Sequence, residues 1–73
     1  MQYVIEKVDT SELSGVHYVT ESIKAELDND AAAIAAMHEK SKMWSAAAYT
    51  RLLRDNGVDE NGEHNLVEIA RTE

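Results

Sequence analysis

The fold class is decided around residues 31–37, which read Ala-Ala-Ala-Ile-Ala-Ala-Met. Alanine is the strongest helix former, so this run predicts a helix. Either Asn29 or Asp30, just before the run, can cap the first turn through a side-chain oxygen, and a helix N-terminus also favours acidic groups. We therefore expect a helix that begins near residue 30.

The helical pattern extends from this run towards residue 55. Trp44 and a second alanine run at residues 46–48 fit one continuous helix over 31–55, in which Ser41 is the mismatch. Such a helix would be about 37 Å long, and a compact domain of this size has little use for it. We favour a break at which Ser41 caps a further helix, and the single long helix remains the alternative.

A second amphipathic pattern precedes the alanine run. Four aliphatic residues recur at spacings of three and four, which predicts a helix of about three turns; they are Val16, Val19, Ile23 and Leu27. Nearer the N-terminus, residues 2–8 are rich in β-branched and aromatic types, and they predict a strand.

The C-terminal third contains a stop signal and one apolar run. Gly57 can end the preceding helix in the left-handed conformation. Residues 65–70 then form either a strand that pairs with residues 2–8 or a final short helix.

Together these patterns predict a single domain over residues 1–73. It is mainly α-helical, or a small α+β domain, with about three helices and a short N-terminal strand that can pair with a C-terminal strand. The periodic apolar positions give the predicted core, which consists of Val16, Val19, Ile23, Leu27, Ile34, Met37, Trp44, Ala48, Leu52 and Leu53.

Charge is the most distinctive feature of the composition. The chain has 73 residues, no cysteine and a net charge of −7. Residues 1–30 carry seven acidic and two basic side chains, residues 31–54 one acidic and four basic, and residues 55–73 six acidic and one basic. An acidic chain is repelled by DNA and attracted to basic protein surfaces.

The predicted compartment and the expectation of no enzyme activity both rest on sequence features that are missing. Residues 1–6 have neither a basic nor an apolar signal-peptide region, and no apolar stretch has the length of a membrane span, so we expect a cytoplasmic protein. His38-Glu39 begins a zinc-protease pattern, but Lys42 stands where the second histidine is required. No phosphate-binding loop, calcium loop or nucleophile–base pair is found, so we expect no enzyme activity, catalytic residue, metal or cofactor.

The basic middle of the chain supports an alternative function. Residues 33–35 followed by residues 45–54 have some likeness to a helix-turn-helix, although the spacing is loose and the turn lacks glycine. The basic side chains of the middle part are Lys40, Lys42, Arg51 and Arg54. A third possibility is an acidic antitoxin or DNA mimic, which predicts that Glu21, Glu26, Asp28 and Asp30 cluster on one face.

The N-terminal segment, which reads Met-Gln-Tyr-Val-Ile-Glu-Lys-Val-Asp over residues 1–9, belongs to a short, acidic, motif-free chain. In these respects the chain resembles the small phage-encoded inhibitors and antiterminators of bacterial RNA polymerase, such as those of lytic Xanthomonas phages. The resemblance implies binding to the polymerase β′ subunit near its N-terminus, in the host cytoplasm. It further implies impaired promoter recognition by the sigma-containing enzyme, and readthrough of terminators.

The predicted function is therefore that of a non-enzymatic regulator that binds a larger protein, with bacterial RNA polymerase as the favoured partner. Direct binding of nucleic acid or membrane is not expected. Exposed aromatic side chains would supply affinity, and charges near both ends and in the basic middle would set orientation. The predicted binding residues are Tyr3, Glu6, Asp9, Glu12, Tyr49, Arg51, Arg54, Asp59 and Glu60.

Overall fold

Two β-hairpins joined by one helix make up the fold. The computed structural model describes residues 1–72, whose elements are β1 (Gln2–Thr10), β2 (His17–Glu26), α1 (Asp30–Met43), β3 (Tyr49–Val58) and β4 (His64–Arg71). The four strands form one antiparallel sheet in the order β2-β1-β3-β4. The prediction of a mainly helical protein with about three helices is therefore wrong, since the chain is mainly β with a single helix.

The predicted N-terminal strand is confirmed, but its neighbours differ from those expected. β1 lies at the centre of the sheet, where it pairs with β2 on one side and β3 on the other. The apolar run at residues 65–70 lies in strand β4, which confirms the strand alternative. Its predicted partner is wrong, because β4 pairs with β3 and not with β1. Each hairpin thus pairs strands that are adjacent in sequence, which is the short connection that antiparallel sheets favour.

The helix predicted over residues 16–27 is a strand. Lys7 pairs with Glu21 whereas Val8 pairs with Val19, so Thr20 is an extra residue that forms a bulge in β2. The bulge sets Val19 opposite Val8 and Ile23 opposite Ile5, so these two apolar residues lie on different faces of the sheet and do not share the one face that the helical spacing predicted. The local composition favours the strand, because β-branched residues lose side-chain freedom in a helix.

The helix over the alanine run is confirmed. Asn29 caps it by accepting a hydrogen bond from the backbone N–H of Ala32 at 2.8 Å. The helix ends at Met43, and Ser41 lies inside it, so neither the long helix nor a further helix capped by Ser41 exists. No helix within residues 1–72 is both long enough and apolar enough to cross a bilayer.

The continuation of the helical pattern after Trp44 is also wrong. Residues 49–58 form β3, in which Leu52 and Leu53 are both buried. Adjacent strand residues point to opposite faces, so two buried neighbours indicate a central strand with burial on both sides. Gly57 does have a positive φ of 105°, but it lies at an irregularity of the β3–β4 pairing and ends no helix.

The core lies between α1 and one face of the sheet. Ala33 and Met37 of the helix are buried against Tyr3, Ile5 and Leu52 of the central strands. Of the predicted core, Met37, Leu52 and Leu53 are buried, while Ile23, Leu27, Ile34 and Trp44 are partly buried. The others are exposed, namely Val16, Val19 and Ala48.

The second face of the sheet is covered by no element of residues 1–72, and we call it the open face. Alternation along β1 places Val4, Glu6 and Val8 on this face. Val8 is only 2% exposed, although it lies outside the helix-side core. Neighbouring side chains of the open face therefore pack over the middle of the sheet without help from a second layer.

Candidate functional site

The predicted binding residues are spread over the molecule. Tyr3 lies in the core, whereas Glu6 and Arg51 are paired on the open face. Arg54 lies in the middle of β3, and the remaining five lie near the ends of strands or in the turns between them, namely Asp9, Glu12, Tyr49, Asp59 and Glu60. The fold does not bring the nine together into one surface.

Tyr3 is part of a network that attaches the start of α1 to the sheet. Its hydroxyl donates a hydrogen bond of 2.6 Å to Asp30, and Arg54 donates to the other carboxylate oxygen at 2.8 Å. The hydrogen bond from Tyr3, helped by the charge of Arg54, lowers the pKa of Asp30. Burial, followed by the bond to Asp30, raises the pKa of Tyr3. Tyr3 and Arg54 therefore serve the fold and are not free for a partner.

Ion pairs and ring contacts occupy the other predicted residues of the open face. Arg51 donates to Glu6 at 2.6 Å across the central strands. The ring of Tyr49 lies edge-on to His17 at 5.5 Å, and the guanidinium of Arg71 lies 4.6 Å from its centroid. These contacts fix the orientation of Tyr49, which is half-buried and presents only part of its ring.

The predicted acidic residues divide between structural and exposed roles. Asp9 accepts a hydrogen bond from Thr20 at 2.7 Å. Asp59 accepts from the backbone of Asn61 and Glu63, which shapes the β3–β4 turn. Glu12 and Glu60 are exposed in turns at opposite ends of the sheet.

The basic patch expected for a helix-turn-helix is not assembled. Arg51 pairs with Glu6 on the open face, whereas Arg54 reaches Asp30 at the start of the helix. Since residues 1–72 contain one helix, they hold no second, recognition helix. The acidic cluster expected of a DNA mimic is not formed by Glu21 and Glu26. Glu21 pairs with Lys7 and Glu26 pairs with Gln2, so the two glutamates lie on opposite faces of the sheet.

The turn between β1 and β2, residues 11–16, is a candidate site that the sequence did not indicate as a binding surface, although its serines and glycine predict a turn, and we call it the hairpin tip. Leu13 is fully exposed (101%) and Val16 is 60% exposed. The turn is nevertheless hydrogen-bonded, from the backbone N–H of Gly15 to the carbonyl of Ser11 at 2.8 Å. Gly15 has a φ of 73°, which glycine adopts at no steric cost. The sequence feature that could have indicated this site is an apolar pair, Leu13 and Val16, among turn-forming serines and a glycine.

The tip belongs to a longer run of exposed apolar side chains. Residues 1–72 contain nine large hydrophobic side chains that are classed as exposed, and four of them lie between positions 13 and 19. They are Leu13, Val16, Tyr18 and Val19. Scattered apolar residues on a surface need no explanation, but a concentration on one hairpin is typical of an interaction site.

A second missed feature is a pocket of about 270 Å³ at the opposite end of the sheet. We call it the cross-strand pocket, because β1, β2, β3 and β4 all contribute to it. Its lining residues are Gln2, Tyr3, Val4, Lys24, Asp55, His64 and Leu66. The register explains the assembly, since Val4 pairs with Lys24 and Asp55 pairs with Leu66 across neighbouring strands.

Asp55 and His64 form a fixed pair beside this pocket. Asp55 accepts one hydrogen bond from the backbone of Gly57 at 2.9 Å and another from Nδ1 of His64 at 2.8 Å. The bond from Gly57 contributes most to lowering the pKa of Asp55, and His64 lowers it further. Because the ionised carboxylate only accepts, Nδ1 of His64 is the donor and its Nε2 remains for another group.

The two edge strands are less suited to a partner. A register irregularity interrupts β2 near Thr20, and a second one interrupts β4 at Ile69. Bulges of this kind twist an edge and hinder pairing with another chain. The hairpin tip and the cross-strand pocket are therefore better candidates than strand addition.

The candidate surfaces were compared with known kinds of metal centre and with known proteins. Among residues 1–72, no group of three or more histidine, aspartate or glutamate side chains is placed to hold a metal ion. Comparison with protein-family models, with curated proteins and with solved structures finds no match.

Proposed function

We propose that this chain is a non-enzymatic regulator that binds a larger protein and acts stoichiometrically, with bacterial RNA polymerase as the partner. The observation that supports it is the fully exposed Leu13 on an ordered hairpin tip. The polymerase, and its β′ subunit near the N-terminus, come from the resemblance. On this proposal the bound chain impairs initiation and promotes readthrough of terminators.

The hairpin tip has two properties of an interface anchor. Moving a leucine side chain from water into an apolar pocket contributes about 1.5–3 kcal/mol. The hydrogen bonds between Ser11 and residues 14–16 already order the turn, so little conformational entropy is lost on binding. Glu12, exposed beside Leu13, fits a pocket with a basic rim.

A promoter-initiation assay with purified bacterial polymerases, including that of a Xanthomonas, tests this proposal. Inhibition should saturate near one chain per enzyme, and the same preparation should increase readthrough at a terminator. Leu13→Ser should weaken inhibition by about 10- to 100-fold, because each 1.4 kcal/mol of lost burial corresponds to a factor of ten.

Val58→Ser is the matched control, since Val58 is 58% exposed at the other end of the sheet and should retain full inhibition. Inhibition at a small fraction of the enzyme concentration would indicate catalysis and contradict a stoichiometric regulator. If no polymerase is inhibited at large excess, transcription is not the function.

A further inference from the structure

We propose that the cross-strand pocket binds a carboxylate carried on a short aliphatic stem, and that the acidic side chain of a protein partner supplies it. The inference rests on the proposed function only for the source of the carboxylate. The affinity of the pocket for that group is a property of the isolated chain.

The ammonium of Lys24 has no ion-pair partner within residues 1–72, which is the first argument for an anionic ligand. The charge of Lys24 helps to lower the pKa of Asp55, but the hydrogen bonds of that carboxylate are made with other groups. Asp55 already accepts from Gly57 and His64, and Glu26 accepts from Gln2. In a chain with a net charge of −7, a lysine left unpaired beside a pocket favours an anionic ligand.

The second argument is the orientation of His64. Its Nδ1 is fixed by Asp55, so its Nε2 is the remaining polar atom of the ring. A protonated His64 donates from Nε2, and a carboxylate accepts such charge-assisted hydrogen bonds strongly. Lys24 on β2 and His64 on β4 line one pocket, where Lys24 is a donor and His64 adds a second donor in its protonated form.

The third argument is the shape and polarity of the walls. Val4 and Leu66 supply apolar surface between the two donors, and Leu66 is 42% exposed. A volume of about 270 Å³ lies below the range of about 300–1,000 Å³ that is usual for small-molecule sites. A single side chain with methylene groups and a terminal carboxylate matches this size and polarity, and a larger cofactor does not.

Titration of the isotopically labelled chain with acetyl-glutamate methylamide, followed by NMR, tests the pocket directly. Amide shifts should move at Val4, Lys24, His64 and Leu66, and the neutral analogue acetyl-glutamine methylamide should produce much smaller changes. Lys24→Gln should weaken binding of the glutamate probe about three- to tenfold, as expected for loss of a charge-assisted contact.

Lys42→Gln is the matched control, because Lys42 is an exposed lysine on α1 and its loss should leave binding unchanged. An unaltered amide spectrum outside the pocket shows that each variant keeps the fold. Equal binding of both probes, no binding at all, or shifts confined to α1 would overturn the proposal.

The failure of this inference and that of the proposed function are distinguishable. If the chain inhibits polymerase while the glutamate probe does not bind, the pocket assignment is wrong and the regulator proposal stands. If the probe binds at the pocket but no polymerase is inhibited, the pocket stands and the partner must be another protein.

Discussion

Tyr3 illustrates how an interface-like residue type can belong to the fold instead. An aromatic residue near a chain end is a reasonable anchor for a partner. Here its ring is buried beneath α1, and its hydroxyl is fixed by Asp30, which Arg54 also holds. The network joins the first turn of the helix to both central strands, β1 and β3. Its loss should loosen the helix from the sheet.

The ionised carboxylate of Asp30 makes the stability of the fold depend on pH. The pKa of Asp30 is lower in the folded chain than in the unfolded chain, so its contribution to stability is present above the unfolded value and is lost as pH falls through the folded value. The melting temperature of Asp30→Asn should therefore lie furthest below that of the wild type near neutral pH. The difference should shrink on acidification below about pH 3.9.

Glu60→Gln provides the control for this titration. Glu60 lies exposed in the β3–β4 turn, so the melting temperature of the Glu60→Gln variant should follow that of the wild type at each pH. A destabilisation by Asp30→Asn that is the same at neutral and acid pH would show that the charge of Asp30 does not carry the effect.

At the scale of elements, local composition predicts β1 and α1, because residues 2–8 are β-rich and residues 31–37 are alanine-rich. The other strands are misassigned for a physical reason. The bulge at Thr20 divides the apolar residues of β2 between the two faces of the sheet. β3 is buried on both faces at Leu52 and Leu53, which removes the alternation of a half-buried strand. Both causes depend on pairing between distant residues, which a local pattern does not contain.

The single helix gives a prediction with a control in the same element. Met37 is 1% exposed against the sheet, while Met43 is 74% exposed at the end of the helix. Met37→Ala should lower the free energy of unfolding by about 2–5 kcal/mol, since it removes buried atoms and leaves a cavity. Met43→Ala should change it by less than about 0.5 kcal/mol.

Urea unfolding monitored by circular dichroism measures both methionine variants. In a small domain the larger loss approaches the whole stability, so Met37→Ala is expected to be partly unfolded without urea. Equal unfolding midpoints for the two variants would contradict the packing of α1 on the sheet.

For the molecule as a whole, the sequence predicted the candidate sites less well than it predicted the fold. Position along the chain predicts a basic middle between acidic ends, but the fold pairs each arginine with a carboxylate. The pairs are Arg51–Glu6, Arg54–Asp30 and Arg71–Glu68. The positive charge is thus largely neutralised within the chain, while acids such as Glu12 and Glu60 remain exposed. The hairpin tip and the cross-strand pocket depend on exposure and on cross-strand register, neither of which sequence spacing reveals.

This distribution of charge makes a final prediction about how the chain meets a polymerase. Long-range attraction between a negative chain and a basic surface raises the association rate and is screened by salt, whereas a buried apolar anchor mainly slows dissociation. In stopped-flow binding, the association rate should fall as salt rises, and Glu12→Gln should lower it further at low salt. Leu13→Ser should instead increase the dissociation rate by about tenfold or more. An association rate that rises with salt would indicate screened repulsion, and therefore an acidic surface on the partner in place of a basic one. Equal dissociation rates for the wild type and Leu13→Ser would remove the hairpin tip from it.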